Sequence, residues 1–301
     1  MIKALKRTKA YQAFRYKKYI MYEIVLGQKY LLKKRYKRSF GRKLDLKNPT
    51  TLTEKMQWLK LYSRNDLYTT CADKYRVREY FKENFGGEYL IPLLFQTEKY
   101  QELTAENITT YPCIVKANHG SGWYKILWDK DSVDWAELQQ ECKRWLGINY
   151  YYLSLEWQYK NIKPCIIVEK LLLDKDGKIP SDYKLNFING ELEFIYCCAD
   201  RYDGQYRINY TPSWEKLDFT WQTKRFKSAE GKPDIAKPAN FDKMVEIGTK
   251  IAKDYKYVRI DFYDVDGVLY YGEITLNHGS GLYRFDPESY DRYYGEKLKL
   301  D

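Results

Sequence analysis

Histidine is scarce in this chain of 301 residues, which contains two, and its six cysteines show no CxxC spacing. A structural zinc site or a disulfide framework needs such residues in clusters, so the sequence predicts neither. We expect the thiols to be reduced and to lie in the interior. No Ser-His-Asp or Cys-His arrangement stands out, so the sequence does not indicate catalysis by a side-chain nucleophile.

Long apolar runs are also missing. The longest uncharged ones, such as 165–168 and 171–173, fall far below the ~18 residues that a membrane-spanning helix requires. The amino end carries scattered charges and no apolar segment followed by a cleavage site, so a secretory signal is not apparent. With 44% apolar residues the chain is able to bury a full core, and its length suggests about two lobes. These features predict a globular cytoplasmic protein.

The positive charge is concentrated at one end of the chain. Residues 1–44 contain fifteen Lys or Arg and one acid, Glu23, whereas the remaining residues carry 37 basic and 40 acidic groups. A basic catalytic body would suggest a nucleic-acid partner, but here the body is nearly neutral. We therefore expect no nucleic acid at the catalytic region.

The basic segment 1–44 shows apolar residues at helical spacing, including Ile20, Ile24 and Leu31, among many lysines and arginines. This pattern predicts a basic amphipathic helix or helix pair. Its tyrosine rings suit a headgroup layer, and each base near an anionic surface contributes ~1 kcal/mol. Peripheral attachment to the inner face of the plasma membrane, or contact with an anionic lipid-linked substrate, is one interpretation. A solvated helix packed on the body is the second, and RNA binding is the third.

Local signals divide the rest of the chain into helices and strands. A capping box from Thr51 to Glu54 predicts a short helix, and a second helix, containing Lys74, is expected from 67 to 85 before two glycines. Further helices are expected at 135–146 and 241–253. Runs rich in β-branched residues predict strands near 111–116, 124–128, 163–169, 183–188, 192–198, 258–263 and 268–274.

A glycine-rich segment, Gly120 to Gly122, lies between two of these strands. Glycines leave backbone N–H groups free and let an anion approach closely, as a phosphate cradle requires. Lys116, just before the loop, supplies the cation that a polyphosphate needs. An ordinary hairpin turn is the alternative.

The pentapeptide Asn-His-Gly-Ser-Gly occurs twice, at 118–122 and at 277–281, and the two copies contain both histidines. The simplest interpretation is that both positions require a tight, glycine-rich loop, and not that one copy arose from the other by duplication. His119 and His278 are candidates for contact with phosphate or substrate. Hydrogen-bonded loop residues are the alternative.

The last predicted hairpin carries charged residues on both strands. With the turn at Asp266-Gly267, strand alternation is expected to put Arg259, Asp261, Glu273 and Thr275 on one face. Two adjacent carboxylates repel each other unless a cation lies between them, and Mg²⁺ prefers oxygen ligands. The alternative is that both carboxylates are exposed, or paired with Arg259 and Lys184.

Six residues occur in the order found in the ATP-grasp superfamily, namely Lys74, Lys116, Glu169, Arg259, Asp261 and Glu273. The finer pattern resembles the TupA-like ATP-grasp family of bacterial polysaccharide gene clusters. The matching segments are 53–62, 72–80, 116–122, 182–184 and 272–275. The resemblance covers about residues 45 to 300.

The resemblance implies an α+β ATP-grasp fold in which two α+β subdomains clamp ATP, beside a helical basic N-terminal arm. The implied division is an arm (1–44), a helical N-terminal region (45–110), a small subdomain (111–172) and a large subdomain (173–301). The resemblance implies that the phosphates contact Lys74, Lys116 and the glycine loop, and that the adenine side contacts Glu169 and Leu171. The full set of implied nucleotide contacts is Lys74, Lys116, His119, Gly120, Ser121, Gly122, Glu169, Leu171 and Asp182.

The resemblance also implies the roles at the reacting end. Asp261 and Glu273 would hold Mg²⁺, with Thr275 standing where many ATP-grasp ligases have Asn. Arg259 would lie over the transferred phosphoryl group, and Lys184 is the second residue expected to act in catalysis. Asp182 and Lys184 would contact ribose, phosphate or substrate. Further substrate contacts are expected at Arg201, His278 and Ser280.

The implied reaction joins a carboxylate to an amine through an acylphosphate, at the expense of ATP. The acceptor would be a uronic acid of a surface polysaccharide or its precursor, and the amine an amino acid. A sugar kinase on the same fold is an alternative. A glycosyltransferase is a second; Asp264-Val-Asp266 has the DxD spelling that such an enzyme commonly needs, but it falls on the predicted turn of the final hairpin. A binding module without catalysis is a third, and the presence of Lys74, Lys116, Asp261 and Glu273 argues against it.

Overall fold

The computed structural model describes residues 9–199, 205–222 and 229–300, with side chains from residue 11 onward. Its α-helices are α1 (Lys9–Phe40), α2 (Leu52–Tyr62), α3 (Asp66–Ala72), α4 (Val77–Phe85), α5 (Trp135–Leu146), α6 (Tyr151–Ser154), α7 (Phe241–Ala252) and α8 (Ser289–Lys297). Its strands are β1 (Leu93–Thr97), β2 (Cys113–Ala117), β3 (Tyr124–Leu127), β4 (Ile166–Lys170), β5 (Asp182–Ile188), β6 (Glu191–Ala199), β7 (Tyr206–Tyr210), β8 (Thr220–Gln222), β9 (Tyr257–Val265), β10 (Val268–Thr275) and β11 (Arg284–Asp286). Short 3₁₀ turns lie at Gly87–Tyr89, Tyr100–Glu102, Trp157–Tyr159 and His278–Gly281.

Helix α1 consists of two helical segments, because Gly27 has non-helical backbone angles (φ 75°, ψ 156°). The second segment packs on the body through the buried side chains of Leu31, Leu32 and Tyr36, which contact Leu155 among others. In the described ranges, no helix combines the length and the hydropathy that crossing a membrane requires. The basic segment is therefore docked on the body over its second half.

The prediction of one helix across 67–85 is wrong at Asp73. The Asp73 carboxylate accepts hydrogen bonds from two backbone N–H groups just after it, at 2.9 and 3.2 Å, and from Asn118 Nδ2 at 2.9 Å. A short acidic side chain that bonds the local backbone competes with helix formation, and here it separates α3 from α4. Lys74 therefore lies in a tight turn, where its own N–H donates to the Asn118 carbonyl.

The first sheet has four antiparallel strands in the order β1-β4-β2-β3. Helix α5 covers one face of it, and the interface contains the buried side chains of Leu138, Cys142 and Trp145 against Val115 and Val168. The helix spans the residues that the sequence predicts. Helix α5 does not cover the opposite face of β2 and β4, and Lys116 and Glu169 of these strands line a cleft there.

The second sheet has five antiparallel strands in the order β10-β9-β5-β6-β7. Helix α7 covers one face, where Met244 and Ile247 pack with Leu185 and Ile260. Helices α2 and α8 and the two-stranded β8/β11 sheet cover part of the other face. Since side chains alternate along a strand, the even-numbered residues of β5 point away from α7.

All six cysteines are buried, as predicted. The capping box is also present, because Glu54 N donates to Thr51 Oγ1 and the Glu54 carboxylate accepts from Thr51 N. The turn Asp266-Gly267 has two left-handed residues (φ 51° and 83°), which is the backbone of a tight hairpin. These local predictions are confirmed.

Candidate active site

A cleft of about 760 Å³ opens between the two larger sheets. The four-stranded sheet contributes β2, β4 and the glycine loop, and the five-stranded sheet contributes β5, β9 and β10. The predicted site residues that line the cleft are Lys74, Lys116, Gly120, Ser121, Gly122, Glu169, Leu171, Asp182, Lys184, Asp261 and Glu273. The fold thus places residues that are up to 199 positions apart in the sequence around one cleft.

Three charged side chains meet where β5, β9 and β10 lie side by side. The register pairs Lys184 with Asp261, and Asp261 with Glu273, so the three share a face. Lys184 Nζ donates to Asp261 Oδ2 at 2.5 Å and also contacts Asp182. Burial opposes the charge of Lys184, but the two aspartates outweigh it and raise its pKa.

The pairing of Asp261 with Glu273 depends on a β-bulge. The turn at Asp266-Gly267 alone would pair Asp261 with Gly272 and put Glu273 on the opposite face, but the register shifts between Tyr271 and Glu273. A Cβ at Gly272 would lie 3.0 Å from the Asp261 carbonyl oxygen. The two carboxylates share a face as predicted, but the prediction missed the bulge. A glycine inside a strand is the sequence signal that indicates it.

Arg259 connects both carboxylates. Its Nε donates to Asp261 Oδ1 at 2.6 Å, and its Nη2 donates to Asp261 Oδ2 and to Glu273 Oε1 at 2.7 Å each. Its Nη1 donates to His278 Nδ1. The carboxylates of Asp261 and Glu273 therefore lie together, as predicted. They are also paired with Arg259, and Asp261 with Lys184, which was the alternative.

The charges of the cleft favour an ionised Glu273. Burial opposes ionisation, but Lys74, Arg259 and Lys184 outweigh it and lower the pKa of Glu273 to about 2. Burial also lowers the pKa of Lys74, an effect that Glu273 partly offsets. Glu273 keeps 37% of its side chain exposed, whereas Asp261 is buried. A carboxylate is therefore available to a ligand at the cleft surface.

On the opposite wall, Glu169 lies between two cations. Lys116 Nζ donates to its Oε2 and Arg78 Nη1 to its Oε1, both at 2.7 Å. Arg78 Nη2 donates to the Ile91 carbonyl at 2.8 Å, which fixes the guanidinium. The Leu171 N–H donates to a backbone carbonyl. Arg78 lines the cleft and was not predicted from the sequence.

The glycine loop is closed over by Lys74 and aromatic rings. Lys74 Nζ donates to the Gly120 carbonyl at 2.6 Å. A Cβ at Gly120 would lie 2.7 Å from the Trp123 ring and 3.1 Å from the Tyr150 ring, so only glycine fits. Gly122 has a left-handed backbone (φ 74°) and open space around it. These contacts hold the loop at the cleft, as an anion cradle requires.

Asn118 fixes the start of the loop. Its Nδ2 donates to Asp73 Oδ1 at 2.9 Å, and its Oδ1 accepts from the Cys165 N–H at 2.7 Å. It therefore connects β2, the turn carrying Lys74 and the segment before β4. Neither Asn118 nor Asp73 was predicted to have a role, although both flank predicted residues. Only long-range contacts reveal this function.

Five of the predicted residues that the structure describes lie outside the cleft lining, and each has other partners. One is Arg259, which bonds Asp261 and Glu273. His119 is buried against Asn118 Oδ1 and the Trp145 carbonyl, and Thr275 Oγ1 donates to Glu273 at 3.1 Å. His278 lies behind Arg259, and Ser280 Oγ donates to Glu156 at 2.7 Å. Arg201 lies outside the described residues.

The second Asn-His-Gly-Ser-Gly copy, 277–281, is a structural turn rather than a cleft loop. Gln57 Nε2 donates to the Ser280 and Gly281 carbonyls at 3.1 and 2.8 Å, and Lys60 Nζ donates to Ser280 Oγ at 3.1 Å. Both donors come from α2. The two identical pentapeptides therefore have different surroundings and different contacts.

The DxD spelling, 264–266, lies at the end of the last hairpin. The Asp264 carboxylate accepts hydrogen bonds from the Asn240 and Gly267 N–H groups, and neither aspartate lines the cleft. The two aspartates of the DxD spelling therefore belong to a hairpin turn and not to the cleft.

The aromatic stretch 149–157 contacts α1, where Asn149 bonds Tyr16 and Tyr151 bonds Glu23. Tyr159, which was not predicted, lines the cleft.

Two sheets that face each other across a cleft, one with lysines and a glycine loop and the other with paired carboxylates, are the arrangement of an ATP-grasp fold of the ligase type. Residues 54–299 match the model of the family described as TupA-like ATPgrasp, and the chain belongs to this family. The predictions of the family and of the α+β ATP-grasp fold are confirmed. No curated protein sequence matches the chain.

Similar solved structures include D-alanine–D-alanine ligases. The Bacillus anthracis enzyme complexed with ATP is 18% identical, with a TM-score of 0.41 over 69% of this chain and 55% of that one. The Helicobacter pylori enzyme is 16% identical, with a TM-score of 0.42 over 82% and 69%. The ATP-grasp ligase PsnB, complexed with a precursor variant, Mg and ADP, is 11% identical, with a TM-score of 0.41 over 75% and 58%. The chain thus spans little more than half of the length of the first and the third.

Proposed function

We propose that this protein is an ATP- and Mg²⁺-dependent carboxylate–amine ligase. The observation that carries the proposal is the convergence of Lys74 and Lys116 with Asp261 and Glu273 around one cleft. Cations and a glycine loop on one wall suit a polyphosphate, and carboxylates on the other suit the metal that accompanies it. The family membership supports the same function.

The nucleotide would lie against the four-stranded sheet. Lys74, Lys116 and the loop from Gly120 to Gly122 would hold the phosphates, because all of them line the cleft and offer ammonium and backbone N–H donors. Glu169 and Leu171 would contact the adenine side, with Arg78 keeping the Glu169 carboxylate in place. Lys116 would exchange part of its contact with Glu169 for phosphate oxygens. Asp182 would contact ribose, phosphate or substrate.

Mg²⁺ would bind at Asp261 and Glu273, with Thr275 Oγ1 close to the second carboxylate. Among the described residues, no group of three or more His, Cys, Asp or Glu side chains is placed to hold a metal on its own. Mg²⁺ commonly binds through one or two carboxylates and takes its other oxygens from phosphates and water. The donor set therefore fits a metal that arrives with the nucleotide.

In the proposed reaction, an oxygen of the acceptor carboxylate attacks the γ-phosphorus of ATP, and the bond to the ADP oxygen breaks. The nitrogen of the amine then attacks the acyl carbon, phosphate leaves, the nitrogen gives up a proton, and an amide remains. Arg259 and Lys184 would stabilise the negative charge on the transferred group and the acyl oxygen. No side-chain nucleophile is required.

For the acceptor, we propose a uronic-acid carboxylate of a surface polysaccharide or of its lipid-linked precursor, and for the amine an amino acid. The family resemblance to enzymes of polysaccharide gene clusters supports this choice. Arg207, which lines the cleft, and Arg201 are the proposed carboxylate contacts. We propose the cytoplasm as the location, with peripheral attachment to the inner face of the plasma membrane.

The decisive experiment is a product assay. The purified protein is incubated with ATP, Mg²⁺ and a panel of uronates and amino acids, while ADP or AMP release and product mass are followed. ADP together with an amide supports the ligase. A phosphorylated sugar would show a kinase, and retention of ATP by a protein that turns over no member of the panel would favour a binding module.

A further inference from the structure

Helix α1 has one face that contacts the body. The Tyr16 hydroxyl accepts from the Asn149 N–H at 2.8 Å, and the Tyr151 hydroxyl donates to Glu23 Oε1 at 2.7 Å. After the break at Gly27, the buried Gln28 Nε2 donates to the Leu155 carbonyl at 3.0 Å. The helix is therefore held in one orientation along its length.

The opposite face of the first segment points to solvent. Positions spaced by 3, 4, 7, 10 and 11 residues from Phe14 share one face of a helix. Every side chain at these positions is exposed, and Ile24 and Val25 are exposed to 71% each. We call this surface the outer stripe; it consists of Phe14, Lys17, Lys18, Met21, Ile24 and Val25.

The stretch of α1 that contains the outer stripe carries much of the exposed apolar surface of the described residues. Half of the large apolar or aromatic side chains that are exposed in the described residues lie between Phe14 and Tyr30. The break at Gly27 leaves Leu26 exposed at the end of the first segment. A concentration of exposed apolar side chains of this kind usually marks an interaction site.

The charges around the outer stripe are of one sign. The exposed bases of the two segments are Arg15, Lys17, Lys18, Lys29, Lys33, Lys34, Lys37 and Arg38. The one acid of the arm, Glu23, is turned toward the body by its bond to Tyr151. The outward surface is therefore complementary to an anionic partner.

We infer that the outer stripe docks on an anionic phospholipid bilayer, with Met21, Ile24 and Val25 entering the boundary between headgroups and acyl chains. This inference deepens the proposed peripheral location and does not depend on the ligase reaction. Lys17 and Lys18 interrupt the apolar surface, and burying them in a dry protein interface without acids would be costly. In a bilayer their long stems lie along apolar surface while the ammonium groups stay among the headgroups.

Sedimentation of the full chain with vesicles tests the inference. We expect binding to phosphatidylcholine vesicles that contain phosphatidylglycerol, and little binding to phosphatidylcholine alone. Lys17→Gln with Lys18→Gln should lower the partition coefficient at low salt by about tenfold or more. Ile24→Ser with Val25→Ser should lower it by a similar factor and remove the part of the binding that survives high salt, because that part is apolar.

Matched controls lie elsewhere on the surface. Val268 is also exposed, to 50%, at the tip of the last hairpin, and Lys130 and Lys253 are exposed on the body. Val268→Ser, and Lys130→Gln with Lys253→Gln, should leave the partition unchanged within twofold. Circular dichroism of every variant checks that the helix remains.

Three results would overturn the inference. The first is equal partitioning of the wild type and both stripe variants on anionic vesicles. The second is self-association of the free protein that Ile24→Ser with Val25→Ser abolishes, which would assign the stripe to a second copy. The third is tight binding to single-stranded RNA that depends on the bases and not on the apolar residues, with no vesicle binding.

Discussion

Arg259 Nη1 donates a hydrogen bond to Nδ1 of His278, a buried residue behind the guanidinium. An acceptor at Nδ1 requires a neutral imidazole. Burial first, and then the charges of Arg259, Lys184 and Arg207, keep the pKa of His278 well below its ordinary value. The ring therefore positions Arg259, which holds both cleft carboxylates.

The buried neutral imidazole predicts a pH dependence of stability. The pKa of His278 is lower in the folded than in the unfolded chain, so its contribution is complete above the ordinary value of 6.5 and is lost as the pH falls below it. We expect the free energy of unfolding in urea to decrease from pH 7 to pH 5. In His278→Asn, whose amide oxygen replaces Nδ1 as acceptor, the decrease should be smaller by up to ~1.4 kcal/mol per pH unit. Identical slopes would contradict this account.

The cleft carboxylates provide a prediction on activity. Asp261→Asn and Glu273→Gln should lower ATP turnover by about 10²-fold or more, because each removes a proposed metal ligand. The folded fraction, measured by circular dichroism, should stay unchanged. Asp266→Asn, on the same hairpin, is the control, since Asn tolerates its left-handed backbone. Full turnover in Asp261→Asn would count against the site.

The bulge at Gly272 gives a test of register. A Cβ there would lie 3.0 Å from the Asp261 carbonyl and 3.1 Å from the Tyr263 ring. We expect Gly272→Ala to displace Glu273 from Asp261 and to lower turnover by about tenfold, at a stability cost of roughly 1–2 kcal/mol. Gly147→Ala is the control for an added methyl group, because Gly147 has an ordinary backbone (φ −83°) and a Cβ there would lie 3.5 Å from the nearest atom. Turnover and urea unfolding should be compared for both variants.

Arg78 offers a prediction on nucleotide affinity. Removing its side chain in Arg78→Met leaves Glu169 with Lys116 alone and releases the contact to the Ile91 carbonyl. The carboxylate should then hold Lys116 more firmly, so we expect KM for ATP to rise several-fold with a smaller change in kcat. Steady-state kinetics at varied ATP measure both. A selective loss of kcat would point to a different role.

The buried lysine of α2 supports a prediction on stability. Lys60 and Glu156 both contact Ser280 Oγ, and burial lowers the pKa of Lys60 to about 8. Lys60→Met leaves the Glu156 charge less compensated and should cost roughly 3 kcal/mol in urea unfolding. Adding Glu156→Gln should restore part of this loss. Lys250→Met, at a surface pair on α7, should change little.

Much of the local structure was predictable because its signals lie within a few residues. The Thr51 capping box, the Asp266-Gly267 turn and the apolar spacing of α5 each act on their own neighbours. The family motifs likewise predicted which residues meet at the cleft. What these signals do not contain is the distant partner of each side chain. The break at Asp73 combines both kinds of signal, because its carboxylate bonds the next backbone N–H groups and Asn118 adds a contact from 45 positions away.

The sequence by itself determined most of the helices, the strands of the last hairpin and the basic character of the arm, because periodicity, capping and charge are local properties. The family resemblance, rather than these local signals, indicated most of the predicted residues that line the cleft. The tertiary structure alone decided that one Asn-His-Gly-Ser-Gly copy forms a cleft loop and the other a turn under α2. It also decided that the outer stripe is exposed while Leu32 and Tyr36 of the same helix are buried. The physical reason is that burial depends on which distant surface packs against a side chain, and identical or similar segments meet different surfaces.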